Sequence, residues 1–493
     1  MFSLSKDIEQ LSFIEGIRQI NDLPSSNPAK FLNLLETHID LSVLIPHSFQ
    51  KAYYYSETND RTYSLESMLA ILLLIQFFKF NPVSNFVTLL HLSPDVRKFC
   101  RLPEGCVPGE SVLNKFKIKF ESEIHNLFDS LSNKVMNIFA DYNESLPQNS
   151  PLKGLSEELI NDTSAVKPKV KENNPKTLQS HIKKQKAYKQ YLESQGKGKD
   201  FNFFSAAYKN MPKFAKANDV IRLDFANGHF GYFYKFGMLC NGFGVPLHLH
   251  FFDNDFYKNL PDDFNSPDEQ KYLFDNASLR PMLDSFFKRT GGNRFTSFLG
   301  DSEFDSYDNY GLLNELKFKK VFIPLNSRNA KFSNTPIPVN TEGVPCCPKD
   351  NSSPFIPDGK CKGKNRSLRF KFVCPKSRKV GNNWVCDCSD KCRETNSSVT
   401  SYTYQSGDLR VFFGVHRGSN EWKDTYKHRT IIEREFSSMK SHPALSRPNT
   451  YNSAVMRADV CLNAASKLIT VILAFAIGKP NYMRNLKALL AAA

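Results

Sequence analysis

The first 145 residues carry apolar side chains at helical spacing, in stretches that prolines separate. Apolar residues that recur every three to four positions mark the buried face of a helix. Pro82, Pro94, Pro103 and Pro108 interrupt the pattern and would end one helix before the next begins. The pattern predicts an all-α N-terminal domain over residues 1–145, with helical stretches at 31–44, 65–80, 86–92 and 112–139.

Three lysines in the last of these stretches have two possible uses. Short helices joined by tight turns are compatible with a helix-turn-helix arrangement, in which Lys115, Lys117 and Lys119 would face DNA phosphates. The alternative is a purely structural helical bundle. The pattern alone favours neither.

From residue 154 onward, short apolar strands alternate with helices, which predicts an α/β core over 154–325 and 405–480. Asn241-Gly242 is a strong hairpin turn signal between two of these strands. His248 and His250 alternate along the second strand of the hairpin, and we expect them at the surface rather than on a metal. The predicted strands cover residues 159–164, 220–223, 231–252, 295–299 and 321–324, and a helix is predicted over residues 268–287.

A lysine-rich excursion, residues 167–216, interrupts this core. It contains thirteen lysines with aromatic residues between them. Lysines neutralise phosphates and aromatic rings stack on bases, so this composition favours a DNA groove. A solvated, partly disordered loop is the alternative.

Residues 424–440 are predicted to form one helix with Asp424 as its N-cap. At about 100° per residue, Tyr426, Arg429, Glu433 and Lys440 fall on one stripe of its surface. One carboxylate is therefore framed by a phenol and two cations.

The other faces of this helix have different expected roles. Ile432, Phe436 and Met439 share a face that would pack inward. Glu435 points roughly 160° away from Glu433. The two glutamates cannot share a role, and we expect Glu435→Gln to be tolerated.

The net charge of +15 and the pI of about 9.1 favour a polyanionic partner, either nucleic acid or an anionic membrane. The longest apolar runs, 68–75 and 468–478, are too short to span a bilayer, so no membrane association is expected. Residues 1–10 mix acidic and basic side chains without an apolar core, which argues against a signal peptide. The expected location is the cytoplasm.

Seven of the eleven cysteines lie between Cys346 and Cys392, within a segment, 326–404, that is rich in Pro, Asn, Ser and Lys. This segment is predicted to be a Cys-rich, mostly β or irregular insertion. Four of its thiolates could hold structural Zn²⁺, although the spacing is not that of a standard zinc ribbon. Free thiols packed in a small subdomain are the alternative. The candidate ligands are Cys374, Cys386, Cys388 and Cys392.

The spacing Tyr-x2-Arg-x3-Glu-x6-Lys at 426–440 resembles the motif around the last acidic residue of DDE transposases from bacterial insertion sequences. The segment 298–307, Phe-Leu-Gly-Asp-Ser-Glu-Phe-Asp-Ser-Tyr, is similar to their second-aspartate motif, which places that aspartate at Asp301. Asp305 and Asp308, close behind it, are expected at the surface. Asp162-Thr-Ser, followed by Lys-Glu-Asn-Asn-Pro at 171–175, is similar to the first-aspartate motif, and residues 63–120 resemble the helical N-terminal domain of these enzymes.

The resemblance implies an RNase H-like core in which Asp162, Asp301 and Glu433 hold Mg²⁺ or Mn²⁺. Three carboxylates that converge from distant parts of a chain suit two-metal phosphoryl transfer, because hard oxygen ligands suit Mg²⁺. Asp224 competes with Asp162 for the first position, since it also ends an apolar strand. The motif favours Asp162.

The resemblance further implies a transposase that cuts the ends of its own insertion sequence and joins the 3′-OH to target DNA. Its expected partner is double-stranded DNA, both terminal inverted repeats and target, bound by a homodimer on two ends. Tyr426, Arg429 and Lys440 would contact the transposon end, and Trp422 would stack on an unpaired base or pack in the core. The alternatives are a nuclease of the same fold that never joins, and a DNA-binding protein without chemistry.

Overall fold

The structure is a computed structural model of the chain, and the residues it describes are about half helical. The predictions for residues 1–27 lie outside the described part, as do pieces of the 326–404 insertion. The described residues are 28–55, 61–226, 229–258, 267–326, 338–340, 342–350, 352–361, 369–392, 394–404 and 409–493.

The described N-terminal region, residues 28–145, is built from helices, as the apolar spacing predicts. Ser64 caps the most buried of them by accepting a hydrogen bond from the Ser67 amide, and Ser93 caps another whose first residue is Pro94. Their apolar faces form one continuous core with the sheet described below. The helices are α1 Pro28–His38, α2 Leu41–Leu44, α3 His47–Tyr53, α4 Leu65–Phe77, α5 Val83–Leu92, α6 Pro94–Phe99, α7 Glu110–Lys119 and α8 Glu121–Ser145.

Lys117 does not face solvent, contrary to one of the two uses open to it. Its side chain is 2% exposed, and its Nζ lies 2.5 Å from Oδ1 of Asp459 in the C-terminal part of the chain. A buried charge needs a partner of opposite charge. Lys117 therefore joins the N-terminal helices to the C-terminal region and is not available to DNA.

A seven-stranded mixed sheet forms the centre of the molecule, which confirms the α/β prediction. Its strand order is β2-β3-β4-β1-β6-β7. Strand β3 pairs with the first part of β4, and β5 pairs with the second part. The β4–β5 hairpin turns at Asn241, whose side chain accepts hydrogen bonds from the amides of Phe243 and Val245. The strands are β1 Glu158–Val166, β2 Phe214–Ala215, β3 Asn218–Ala226, β4 His229–Asn241, β5 Pro246–Phe251, β6 Ser297–Leu299 and β7 Lys320–Phe322.

The two faces of the sheet pack against different helices. Successive strand residues point to opposite faces, so Leu159 of β1 joins one apolar cluster and Ile160 joins the other. The Leu159 face is covered by α12 Pro267–Thr290 and α13 Tyr307–Glu315. The neighbours of β1 are antiparallel β4 and parallel β6. Strand β1 is thus buried at the centre of the core.

His248 lies on β5 inside this core, so the surface position expected for it is wrong. Its side chain is 3% exposed, and its ring packs near Phe286 of α12. Burial lowers the pKa of His248 well below the usual histidine range. The strand has helices on both faces, so its alternating residues have no solvent side.

The lysine-rich excursion is mainly helical. It contains α9 Pro175–Ser194 and α10 Phe203–Lys209, and α9 buries none of its residues. Asn174 caps α9 by accepting a hydrogen bond from the amide of Lys176. The excursion is therefore a solvated helical arm rather than an irregular loop. A short helix, α11 Asn254–Lys258, follows β5.

The described parts of the Cys-rich insertion are β or irregular. A three-stranded sheet has the order β12-β9-β8, and β10 and β11 form a separate hairpin. Phe355, Phe370, Phe372 and Phe412 make a small core of its own. The strands are β8 Ile356–Cys361, β9 Arg369–Val373, β10 Ser377–Val380, β11 Asn383–Cys386 and β12 Thr400–Tyr404.

Five helices complete the described chain: α14 Asn420–Tyr426, α15 Thr430–Lys440, α16 Pro443–Ser446, α17 Ser453–Ala476 and α18 Leu486–Ala492. Helix α17 extends well beyond the apolar run at 468–478, and by length and composition alone it could cross a membrane. Of its most apolar window, 89% is buried inside the protein. It packs against α8 and α4, which accounts for its apolar character.

Candidate active site

Three separate elements bring Asp162, Asp301 and Glu433 together. Asp162 lies within β1, four residues before the strand ends, and not at its end as expected. Asp301 follows β6, the parallel neighbour of β1. Glu433 lies in the first turn of α15, which packs on β1. The site therefore rests on a central strand of the sheet.

Arg429 lies between these three carboxylates. Its Nη2 is 3.0 Å from Oδ2 of Asp162 and 3.3 Å from Oδ2 of Asp301. Its Nη1 donates a hydrogen bond to Oε1 of Glu433. The Arg429 side chain is only 15% exposed, whereas that of Glu433 is 52% exposed. One guanidinium thus offsets part of the repulsion among three acids.

The pKa shifts of Asp162 and Arg429 reflect burial and the charges of the neighbouring side chains. Burial raises the pKa of Asp162 to about 7, Arg429 opposes this rise, and the nearby Asp301 adds to it. Burial works to lower the pKa of Arg429, yet the three carboxylates raise it overall. The Arg429 cation therefore favours the ionised form of Asp162 and acts against the effect of burial.

Tyr426 and Lys440 flank the same cluster. Burial raises the pKa of Tyr426 to about 12, and Asp301 and Asp162 are near enough to contribute. Burial lowers the pKa of the Lys440 ammonium, while Asp162 partly offsets the effect. The stripe predicted on this helix, with Glu433 between a phenol and cations, thus lies against the two aspartates.

The helix boundaries differ from the prediction of a single helix over 424–440. Helix α14 begins at Asn420, because the Ser419 side chain accepts a hydrogen bond from the Trp422 amide. A 3-10 turn, Lys427–Arg429, separates α14 from α15. Asp424 lies inside α14 and pairs with Lys427. The inward face of Ile432, Phe436 and Met439 is buried as expected.

Trp422 is packed against protein side chains. Its ring stacks on Tyr426 with centroids 4.9 Å apart, and it lies 6.3 Å from the ring of Phe322. Its indole Nε1 is buried without a hydrogen-bond partner among the described residues. Trp422 therefore packs against Tyr426 within the protein, which corresponds to the packing role and not to stacking on an unpaired base.

Asp224, the competitor of Asp162, is bound in a different network. Nζ of Lys235 lies 2.9 Å from Oδ2 of Asp224 and 2.7 Å from Oδ1 of Asp275, and all three side chains are buried. The Thr163 hydroxyl donates a hydrogen bond to Asp275. The network therefore holds β1 in place through Thr163, the residue after Asp162. Sequence patterns missed it, since its members lie on β1, β3, β4 and α12.

Asp305 is buried, so its expected surface position is wrong. Its two carboxylate oxygens accept hydrogen bonds from Nε and Nη2 of Arg410, at 2.9 and 2.8 Å. Such a two-point pair is geometrically specific. It holds the turn that follows Asp301 against residues from the far side of the insertion.

Glu435 is also buried, which changes the expectation that Glu435→Gln is tolerated. Its side chain is 5% exposed and lies 3.7 Å from both Lys467 and Arg484. We now expect Glu435→Gln to lower the free energy of unfolding by about 1–3 kcal/mol, because the two cations lose their counter-charge. Urea denaturation measures this loss, with the exposed neighbour Arg434→Gln as the control. Equal stability of both variants would show that the pair contributes nothing.

Several cysteines of the insertion lie near one another without forming disulfides. The sulfur atoms of Cys347 and Cys392 are 3.8 Å apart, and all cysteines are free. Burial raises the pKa of Cys392, and the thiols of Cys347 and Cys374 add to the shift. Across the described residues, no three His, Cys, Asp or Glu side chains are arranged as a ready-made metal site.

Comparison with known proteins links part of the N-terminal region to a transposase family. Residues 20–119, roughly a fifth of the chain, match the model of a family described as "Transposase domain (DUF772)". No curated protein and no solved structure matches the chain. The matched segment covers the described helices α1–α7 with their connections. The match supports a transposase of insertion-sequence type, a class of protein that binds DNA.

Proposed function

We propose that this protein is a DDE-type transposase with an RNase H-like core. It would cleave the ends of its own insertion sequence and join the freed 3′-OH to target DNA. The observation that carries the proposal is the convergence of Asp162, Asp301 and Glu433 on one guanidinium. The mixed sheet with Asp162 on its central strand supports the RNase H-like core, and the family match supports the class.

The chemistry of the three carboxylates suits Mg²⁺ or Mn²⁺, although the structure holds these acids around Arg429 and not in a ready-made metal site. Three carboxylates on rigid elements offer hard oxygen ligands, and Arg429 already stands among them as a cation. Asp162, Asp301 and Glu433 would hold the metal ions, which supply Lewis-acid activation of the attacking oxygen and charge stabilisation of the leaving one. The same carboxylate oxygens already bind the Arg429 guanidinium, so metal ions held by them would have to compete with Arg429.

An Arg429 side chain that no longer binds the carboxylates could bind a DNA phosphate. Its planar fork of donors matches two oxygens of a phosphate, and it remains charged at any working pH. Lys440 supplies a second positive charge beside Asp162, and Tyr426 supplies a hydroxyl donor. These three side chains would hold the scissile phosphate against the acids and stabilise the charge that develops there.

The proposed partner is double-stranded DNA, with the terminal inverted repeats and target DNA bound by a homodimer on two ends. The N-terminal helices that match the transposase family are the candidates for repeat recognition. The exposed lysines of α9 suit contact with DNA phosphates.

A joining assay separates a transposase from a nuclease of the same fold. A repeat-end duplex with a free 3′-OH is incubated with a supercoiled plasmid, Mg²⁺ and the protein. A transposase links the labelled end to the plasmid, whereas a nuclease leaves it unlinked. A duplex that ends in a 3′-deoxy nucleotide is the matched control, because it can be bound but cannot attack.

We also propose that the insertion holds structural Zn²⁺ through cysteines that include Cys374, Cys386, Cys388 and Cys392. The clustering of these thiols with Cys347 supports the proposal. Zinc would deprotonate the thiols whose pKa burial raises and would tie β9 to the β10–β11 hairpin. Elemental analysis of the purified protein tests the proposal. One zinc per chain, with a melting temperature lowered by a zinc chelator, is the expected result, and absence of zinc would contradict it.

A further inference from the structure

A groove of about 570 Å³ lies beside the candidate active site and has two walls. One wall consists of residues 167–171, 173 and 174, which follow β1, and the other consists of residues 446–449 at the end of α16. Glu172 does not line the groove, and its carboxylate accepts a hydrogen bond from the Lys216 amide. Asp162 lies on β1, and Glu433 and Lys440 lie on α15, the helix before α16. Both walls are therefore continuations of elements that carry the site.

The groove is basic. Lys167, Lys169, Lys171 and Arg447 line it, and its lining contains no acidic side chain. All four are exposed. Within the described chain, Lys169, Lys171 and Arg447 have no acidic group within ion-pair distance. Positive charge that the protein itself does not neutralise favours an anionic partner.

The lysine wall is held in place by buried neighbours and by hydrogen bonds. Pro168 and Val170 are buried, whereas the lysines on either side of them are exposed. The Val170 amide donates a hydrogen bond to the Pro168 carbonyl at 3.0 Å, so the chain turns at Lys169 while the lysines stay on its exposed side. The Asn173 amide anchors this arrangement by donating to the carbonyls of Pro168 and Tyr232, at 2.9 and 2.8 Å. The lysines are thus held on the exposed side of a fixed segment.

The opposite wall is also fixed. His442 is buried at the start of α16, where its Nδ1 accepts a hydrogen bond from the Ala444 amide and its Nε2 lies 3.2 Å from the carbonyl oxygen of Ile75. Pro448 is buried next to exposed Arg447. Arg447 therefore projects from a backbone that is tied to the N-terminal helices.

We propose that this groove binds the sugar-phosphate backbone of the DNA strand that leads away from the scissile phosphate. The inference rests on the proposed function and adds a path for the DNA. The cations of the two walls suit the phosphates of such a strand. The lining contains no aromatic side chain on which a base could stack, so the contact is independent of base sequence.

The test is the salt dependence of DNA binding by the triple variant Lys169→Ala, Lys171→Ala, Arg447→Ala. Binding of a labelled duplex is followed by fluorescence anisotropy over a range of salt concentrations, without divalent metal so that no cleavage occurs. Each lost phosphate contact should reduce the slope of log K against log salt by about 0.9. We expect the slope to fall by roughly two to three for repeat-end and unrelated duplexes alike.

The matched control removes the same charge elsewhere. Lys288, Lys319 and Lys379 are exposed and lie outside the groove and the active site. Their triple alanine variant should keep the wild-type slope. If the groove variant keeps it as well, the groove does not bind DNA. Should the alanine variant fold poorly, glutamine at the same three groove positions removes the charge and keeps polar side chains.

Failure of the groove and failure of the proposed function give different results. A protein that binds DNA through the groove but never cuts it would show the reduced slope in the variant and no cleavage in any form. An enzyme that cuts, but whose groove variant binds with the wild-type slope, would overturn the groove alone.

Discussion

Asp162→Asn and Asp301→Asn are each expected to abolish metal-dependent DNA cleavage and to leave DNA binding nearly intact. Both aspartates lie within hydrogen-bonding distance of Arg429 in the candidate site. An amide keeps the shape but lacks the charge that holds a divalent cation. Cleavage should fall on the order of 10³-fold or more, the scale seen when a group that acts at the reacting atoms is removed.

Two measurements on the same preparations check this expectation. A gel assay follows cleavage of repeat-end DNA, and anisotropy follows its binding without metal. Asp308→Asn is the matched control, because Asp308 lies close in sequence but is exposed on α13. Loss of binding together with cleavage in both site variants would mean that the aspartates support the fold. Full activity of either variant would remove that residue from the site.

Arg429→Ala is expected to raise the affinity of the DNA-free protein for Mg²⁺ and to lower the rate of cleavage. The guanidinium contacts all three acids, so metal must displace it. Removing this competitor should tighten metal binding at least about tenfold, or about 1.4 kcal/mol. The same change removes a phosphate ligand from the complex with DNA, so cleavage falls although metal binds better.

Calorimetric titration with Mg²⁺ measures the first effect without any need for activity. Arg434→Ala is the control, since Arg434 lies on the same helix and is exposed. Unchanged Mg²⁺ affinity in Arg429→Ala would show that the guanidinium and the metal do not share a position. Weaker binding would show that Arg429 organises the acids instead of competing for them.

The parts of this structure that periodicity controls could be predicted from the sequence. The strands around Asp162 and Asp301 are short apolar runs, and the β4–β5 hairpin carries its own turn signal in Asn241-Gly242. The stripe on α15 follows from helical geometry, which places Arg429 one turn from Glu433. The end of β1 could not be placed in this way, because its pairing with β4 continues beyond the acidic residue to Val166.

Contacts between distant parts of the chain could not be predicted. From the sequence alone, Glu435 is expected at the surface. In the structure it is buried beside Lys467 of α17 and Arg484 of the C-terminal segment. From the sequence alone, Lys117 could be a phosphate ligand, but in the structure it forms a buried ion pair with Asp459. A charged residue inside a core is identified by its partner, and the partner's place in three dimensions is absent from local sequence.

The most direct test of the account is a cleavage assay on the DNA repeats that flank the protein's own gene. Wild-type protein and Glu433→Gln are compared with and without Mg²⁺, on a duplex that carries one repeat and its flanking sequence. The account predicts cuts at the repeat end with wild-type protein and Mg²⁺, and none with Glu433→Gln or without metal. Tight binding with no cuts under any of these conditions, or equal cutting by Glu433→Gln, would contradict it.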